Sequence, residues 1–154
     1  MSDELETYRH PSAGFELPLP RDWEQSENIH GCALVSIEPP REDPHFRPNV
    51  VVTVEALGAD VELESWAESS LDALRESLDR LRVIDLDSVD IGDLPARRAL
   101  THYLHDRFGG VNLEQWSLVH GELGYVVSCS TGALEYDDLW WLTNAVAEGL
   151  RPRT

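Results

Sequence analysis

The stretch NVVVTVEAL at residues 49–57 places Val50, Val52, Val54 and Ala56 on one side of an extended chain and Val51, Thr53 and Leu57 on the other. Side chains of a strand alternate between its two faces, so this strand is apolar on both. Such a strand belongs in the middle of a sheet that is covered on both sides. A greasy run of this kind could also wall a binding site, and that reading stands beside the first.

Upstream, Phe15, Leu17 and Leu19 alternate with polar or proline neighbours, the period of a half-buried strand, and PRD at 20–22 ends it. ALVSI at 33–37 is a second strand, stopped by Pro39 and Pro40. REDPHFRP at 41–48 reads as a loop. From Asp60 the period becomes helical: Leu63, Trp66, Ala67, Leu71, Ala73, Leu74, Leu78 and Leu81 fall within one arc at about 100° per residue. Glu76 and Arg80 stand at the favourable acid-before-base spacing, whereas Glu64, Glu68 and Asp72 stack like charges at four-residue steps. Packing against a sheet must therefore hold this helix.

DLDSVDIGDLPARRALTHYL, VNLEQWSLVH and GYVVSCST follow, with a tight turn at 121–124, and predict an antiparallel meander. YDDLWWLTNAVAEGL then returns to helical period, with Asp137 and Asp138 in the first turn, where the helix dipole favours them. On this last helix Tyr136, Leu139, Trp140, Leu142, Val146, Ala147 and Leu150 share one arc, expected to face the sheet. Trp141 falls outside it, among Asp137, Asn144 and Glu148. Trp140 is thus expected in the core, where truncation would cost about 3 to 5 kcal/mol, and Trp141 on the polar face. Either the proline-rich loop at 39–48 covers Trp141, or it is an aromatic anchor for a partner, with Asp137, Asn144 and Glu148 around it.

The chain has 154 residues, enough for one domain with a full core and too few for two ordinary ones. Hydrophobic residues make up 42% and charged ones 27%, an ordinary globular composition. Against 29 acids stand 12 basic residues, a formal net charge of −17. That charge repels phosphate backbones and anionic lipids alike, so neither nucleic acid nor membrane is expected as a partner. The N-terminal MSDELETYRHPSAGF lacks the basic and apolar segments of a signal peptide, and no apolar run reaches membrane-spanning length. The expectation is a cytoplasmic protein in which Cys32 and Cys129 are free thiols.

The order strands, helix, strands, helix, together with HPSAGFELPLPRDWE, FRPNVVVTVEAL, IGDLPARRALTHYL and GELGYVVSCST, resembles the PsbP-like (Ran-release-factor/PsbP) superfamily. Within it the likeness is to LpqN-type actinobacterial lipoproteins and their soluble relatives, and it covers nearly the whole chain. The resemblance implies one α+β domain over 1–154. It would be an α-β-α sandwich with a mainly antiparallel sheet of about six strands, flanked by two main helices. It further implies action by binding, since the superfamily includes a Ran-GTPase nucleotide-release factor and an accessory subunit of photosystem II. No catalytic signature is shared across the superfamily. From MSDELETYRHPSAGF, neither the leader nor the acylated cysteine of the lipoproteins is expected here.

Searched for chemistry, the sequence contains no nucleophile elbow, P-loop or dinucleotide fingerprint, and FGGV at 108–111 lacks the spacing of a phosphate cradle. His102 and His105 lie three apart, a spacing that on a strand points them to opposite faces, and they lack a third metal ligand nearby. Asp85, Asp87, Asp90 and Asp93 superficially resemble a calcium loop, but its glycine position is Asp90 and its closing glutamate position is Ala96. Cys129 with His120 across the turn is a weak nucleophile pair in a chain that offers little of the positive, partly exposed setting a reactive thiol needs. Accordingly no catalytic, cofactor-binding or metal-binding residue is assigned, and no cofactor is expected. The leading expectation is a non-catalytic module acting through an unknown protein partner or self-association. A rival reading places an apolar small molecule between sheet and helix, walled by Trp66, Trp116 and Val52; enzyme activity comes third.

Overall fold

In the computed structural model, which describes residues 4–153, the run that opened the sequence reading is the third strand of a seven-stranded sheet. The elements in chain order are β1 (Leu5–Arg9), β2 (Phe15–Pro20), β3 (Glu24–Ile29), β4 (Cys32–Ile37), β5 (Asn49–Ala56), α1 (Leu63–Ser77), β6 (Arg82–Ile91), β7 (Leu94–His105), β8 (Gly109–His120) and β9 (Leu123–Gly132). A short 3-10 turn (Ala133–Glu135), α2 (Tyr136–Glu148) and β10 (Arg151–Pro152) follow. The large sheet runs β3-β4-β5-β9-β8-β7-β6 and a small one runs β1-β2-β10, with every pairing antiparallel. This is the expected α+β architecture with two main helices, and among the described residues the strands number ten, against the six or so expected.

The helices lie on opposite faces of the large sheet, and β9 shows it residue by residue. A Cβ on Gly124 would lie 2.6 Å from the Trp66 ring, which places α1 on the even-numbered side of that strand. Cys129 is on the odd side, its Sγ 3.9 Å from the Thr143 carbonyl of α2. The α2 side holds the main core: Leu34 of β4, Val50 and Val52 of β5, Trp116 and Leu118 of β8, and Tyr125 and Val127 of β9 pack with Val146, Ala147 and Leu150. The small sheet closes this layer with Phe15, Leu17 and Leu19, each no more than 1% exposed. On the other side Val51 and Thr53 remain half-buried. The coverage of β5 is therefore complete on one face and partial on the other.

Three strands escaped the sequence pattern. All six residues of β3 are exposed, so it has no apolar face to generate an alternation, and its backbone pairing to β4 alone defines it. β1 has no fully buried residue, and β10 has two residues in all. The first helix ends at Ser77, earlier than the apolar arc through Leu81 suggested, because Leu78 is extended and Arg80 adopts φ 54°. The helical spacing between Glu76 and Arg80 therefore does not apply. Two of the three stacked acids of α1 find cations instead: Glu64 pairs with Arg97 of β7, and Asp72 lies 2.9 Å from Arg75.

Packing of α1 depends on the missing side chain at Gly124. Gly124→Ala drives a methyl into the Trp66 ring and Leu57, and is expected to destabilise the protein by about 1 to 3 kcal/mol. Gly132→Ala, whose Cβ would meet nothing nearer than 4.0 Å, is expected to be close to neutral. Urea unfolding of both variants checks this, and equal stability would place Trp66 elsewhere.

Candidate interaction surface

The orientation of α2 is set by a charged residue beneath it. Glu114 of β8 is only 1% exposed, on the face that carries Trp116 and Cys129. A buried carboxylate is costly unless its lone pairs are filled. Arg98 of β7 donates Nε to it, the Tyr136 hydroxyl donates at 3.2 Å and Asn144 Nδ2 at 3.5 Å. Arg98 also donates Nη1 to Asp85 of β6, at 2.9 Å. Burial alone would lower the pKa of the Arg98 guanidinium, but bonding to Asp85 and the charge of Glu114 outweigh it and raise it. The line Asp85–Arg98–Glu114 thus crosses three strands and ends on two side chains of α2.

That network explains how the two tryptophans lie. Leu142, Thr143, Val146 and Ala147 form the buried face of α2. Tyr136, Trp140 and Asn144 follow one another at four-residue steps along the flank, and the polar first and last of them turn in to Glu114. The sheet carries Arg98, Glu114 and Asp85 on this side, where an apolar wall would be needed to bury an indole. Trp140 consequently remains 50% exposed and is not a core residue, correcting the expectation drawn from its helical arc. Trp141 is 43% exposed, as its place on the polar face required.

Asn144 departs from the set expected around Trp141. Its Nδ2 donates 2.9 Å to the Trp140 carbonyl as well as to Glu114, so it serves the anchor rather than the outer face. Asp137 and Glu148 are exposed, and with Trp140 and Trp141 they fall within a sector of about 100°. Asp138 is exposed beside it, and the last turn of α2 has no basic residue. Arg151 does not compensate, because its guanidinium donates to the carbonyls of Glu148 and Leu150 at 2.8 and 2.7 Å.

The proline-rich loop is anchored near the start of this helix. Arg41 bridges Glu38, at 2.6 Å, and Glu135, at 2.8 Å. His45 Nε2 lies 3.2 Å from Glu38, and Arg47 pairs with Glu24 at 2.8 Å. Phe46 meets His105 and Phe108 edge-on, with ring centroids 5.8 and 6.3 Å away. Between the loop, the β7–β8 turn and the 3-10 turn lies a cleft of about 560 Å³ lined by Phe46, Phe108, Leu134, Arg41 and Arg107. Trp141 is not among its lining residues.

Other sequence candidates are separated by the fold. Trp66 belongs to the α1 face, whereas Trp116 and Val52 lie in the core under α2, so the three do not form one wall. The alternation of β8 and β9 enforces that separation. His120 pairs with Leu123 and Cys129 with Glu114, six positions away along β8, which removes the nucleophile pair. Burial, and secondly the Glu114 charge, push the Cys129 thiol up, and both cysteines are free. His102 and His105 do face opposite ways: His102 lies against Gly110, and His105 stacks with Phe108 while its Nδ1 accepts from the Arg107 and Phe108 amides. Asp85, Asp87 and Asp90 lie along extended β6, and Asp93 lies in the turn after it. Among the described residues no group of three or more His, Cys, Asp or Glu is placed to hold a metal ion.

Glu38 is the titratable centre of the loop clasp. Burial works to raise its carboxyl, but hydrogen bonds from Arg41 and His45 outweigh it and hold the pKa below the ordinary glutamate value. A carboxyl lowered in the folded state contributes stability above its unfolded pKa, about 4.3, and loses it as pH falls through the folded one. Carboxyl carbon shifts followed by NMR should therefore give Glu38 a midpoint below the ordinary glutamate value. Arg41→Ala should move that midpoint upward; an unchanged midpoint would mean that the clasp does not form in solution.

No family model matches the chain, and no curated protein does. Solved structures do. The chain is similar to LpqN of Mycobacterium tuberculosis, described as involved in cell envelope biogenesis, with 16% identity, a TM-score of 0.76, and coverage of 98% of this chain and 91% of that one. It is similar to the PsbP protein CyanoP of Synechocystis sp. PCC 6803, with 13% identity, a TM-score of 0.74, and coverage of 99% and 94%. It is also similar to the Ran-binding protein Mog1p of Saccharomyces cerevisiae, with 10% identity, a TM-score of 0.69, and coverage of 98% and 96%. With these likenesses running the length of the chain, the protein has the PsbP-like fold shared by Mog1, CyanoP and LpqN.

Proposed function

We propose that this chain is a non-catalytic, cytoplasmic binding module that docks a protein partner on the outer face of α2. The observation that carries the reading is the pair of half-exposed indoles, Trp140 and Trp141, on a helix whose other side is fixed by Glu114 and the core. Tryptophan is enriched among residues that carry binding energy, and a rigid support avoids the ordering cost of a mobile one. The Ran-binding activity of Mog1p supports the class of function without naming a partner for this chain. Two free thiols agree with a cytoplasmic setting, and no described helix is long and apolar enough to cross a membrane.

Trp141→Ala is expected to cost less than about 1 kcal/mol of stability, as a surface change does, while abolishing partner capture or self-association. Trp140→Ala should likewise fall well below the roughly 3 to 5 kcal/mol of a core truncation. Thermal unfolding and affinity capture on the same variants decide the matter. Large destabilisation with undiminished capture would make both indoles structural.

A second reading, binding of an apolar small molecule, moves from the dispersed Trp66, Trp116 and Val52 to the cleft at Phe46 and Phe108. Its volume of about 560 Å³ lies in the range of ligand sites. A ligand present at 100 times its Kd would stabilise the fold by about 2.7 kcal/mol. A rise in Tm with apolar ligands that Phe108→Ala removes would favour this reading, and its absence across a broad apolar set would dismiss it.

A further inference from the structure

We infer that the partner segment received by α2 is cationic, presenting arginine or lysine side chains to the strip Asp137–Trp140–Trp141–Glu148. The inference rests on the proposal that this face binds protein, and adds the chemistry of what binds. Four observations point the same way. The strip combines two half-exposed indoles with exposed carboxylates on both sides along the helix. The last turn of α2 has no base, and nearby Arg151 is committed to main-chain carbonyls. Asn144, the neutral hydrogen-bonding group next to the strip, is turned inward to Glu114 and the Trp140 carbonyl. The whole chain carries a formal charge of −17.

An ammonium or guanidinium over an indole face is attracted by the ring quadrupole, and guanidinium most often plays this part. Carboxylates at Asp137 and Glu148 lie within the reach of a second and third cation on the same segment. The long-range field steers such a segment in and repels an anionic one. A second copy of this chain would bring the same acids against these and the same net charge, which opposes pairing of two strips. Anionic lipid is repelled for the same reason.

The probe is a blocked hexapeptide of alternating arginine and leucine, with its glutamate-for-arginine counterpart as control, titrated while indole emission is followed. The arginine peptide should shift the emission saturably, and the control should not. Asp137→Asn with Glu148→Gln should weaken binding about tenfold, a loss of about 1.4 kcal/mol. Trp141→Ala should weaken it at least as much. Glu76→Gln, an exposed acid of α1 on the opposite face, should leave it unchanged. Circular dichroism of each variant checks that it is folded.

Equal losses with Glu76→Gln would reduce the effect to general attraction by an acidic protein and overturn the inference. So would sedimentation showing a dimer that Trp141→Ala dissociates, which would make the second copy the occupant. If the peptide does not bind, yet Trp141→Ala still abolishes capture of a protein partner, the cationic chemistry is wrong and the binding surface stands. If neither responds to Trp141→Ala, both readings fall together.

Discussion

A buried carboxylate sets the terms for the helical layer that carries the candidate surface. Glu114 lies in the middle strands of the sheet at 1% exposure, where an uncompensated charge would destabilise the fold by several kcal/mol. Arg98 compensates it from the next strand, and Asp85 from the strand beyond compensates the arginine. The remaining capacity of the carboxylate falls to Tyr136 and Asn144 of α2. The helix is thereby held in one rotation about its axis. Apolar packing alone would specify that rotation less sharply, since Leu142, Val146 and Ala147 present a broad greasy face.

The exposed tryptophans follow from this constraint. With Tyr136 and Asn144 turned in to Glu114, Trp140 between them keeps half its surface in solvent, and Trp141 on the polar face is 43% exposed. Removing the carboxylate would release the polar side chains and leave the guanidinium of Arg98 with one carboxylate partner in place of two. The site and the anchor are therefore parts of one arrangement, in which a polar core residue presents apolar surface to the outside.

Electrostatics elsewhere in the chain follow the same economy. With 29 acids and 12 basic side chains, each arginine is valuable, and several join distant segments. Arg97 ties β7 to α1 through Glu64, Arg41 ties the proline-rich loop to the 3-10 turn through Glu135, and Arg153 ties the C-terminal segment to β2 through Glu16. Exposed pairs of this sort contribute little stability individually. Their consequence is geometric: the acids that remain unpaired are left on outward faces, α2 among them.

Much of the fold was legible in the sequence because burial writes a period into it. The two-sided run at Asn49–Ala56, the arc of α1 from Leu63 to Leu74, the meander and the closing helix each bury a face, and each carried its pattern. β3 carried none, because a strand exposed on both sides can take any polar residue. The site was only partly legible: helical geometry alone placed Trp141 outside, and the same geometry placed Trp140 inside. What changed the outcome for Trp140 was Glu114, on β8 and separated from α2 in sequence by the whole of β9, whose burial no local period announces since an acid in VNLEQW reads as solvent-facing. Likewise Trp66, Trp116 and Val52 each read correctly as apolar and inward, but only the pairing of β8 with β9 decided that they lie on opposite sides of the sheet. Local sequence determines which side of its own element a residue occupies; which neighbours wait there is decided by long-range strand register, and that is a property of the assembled sheet.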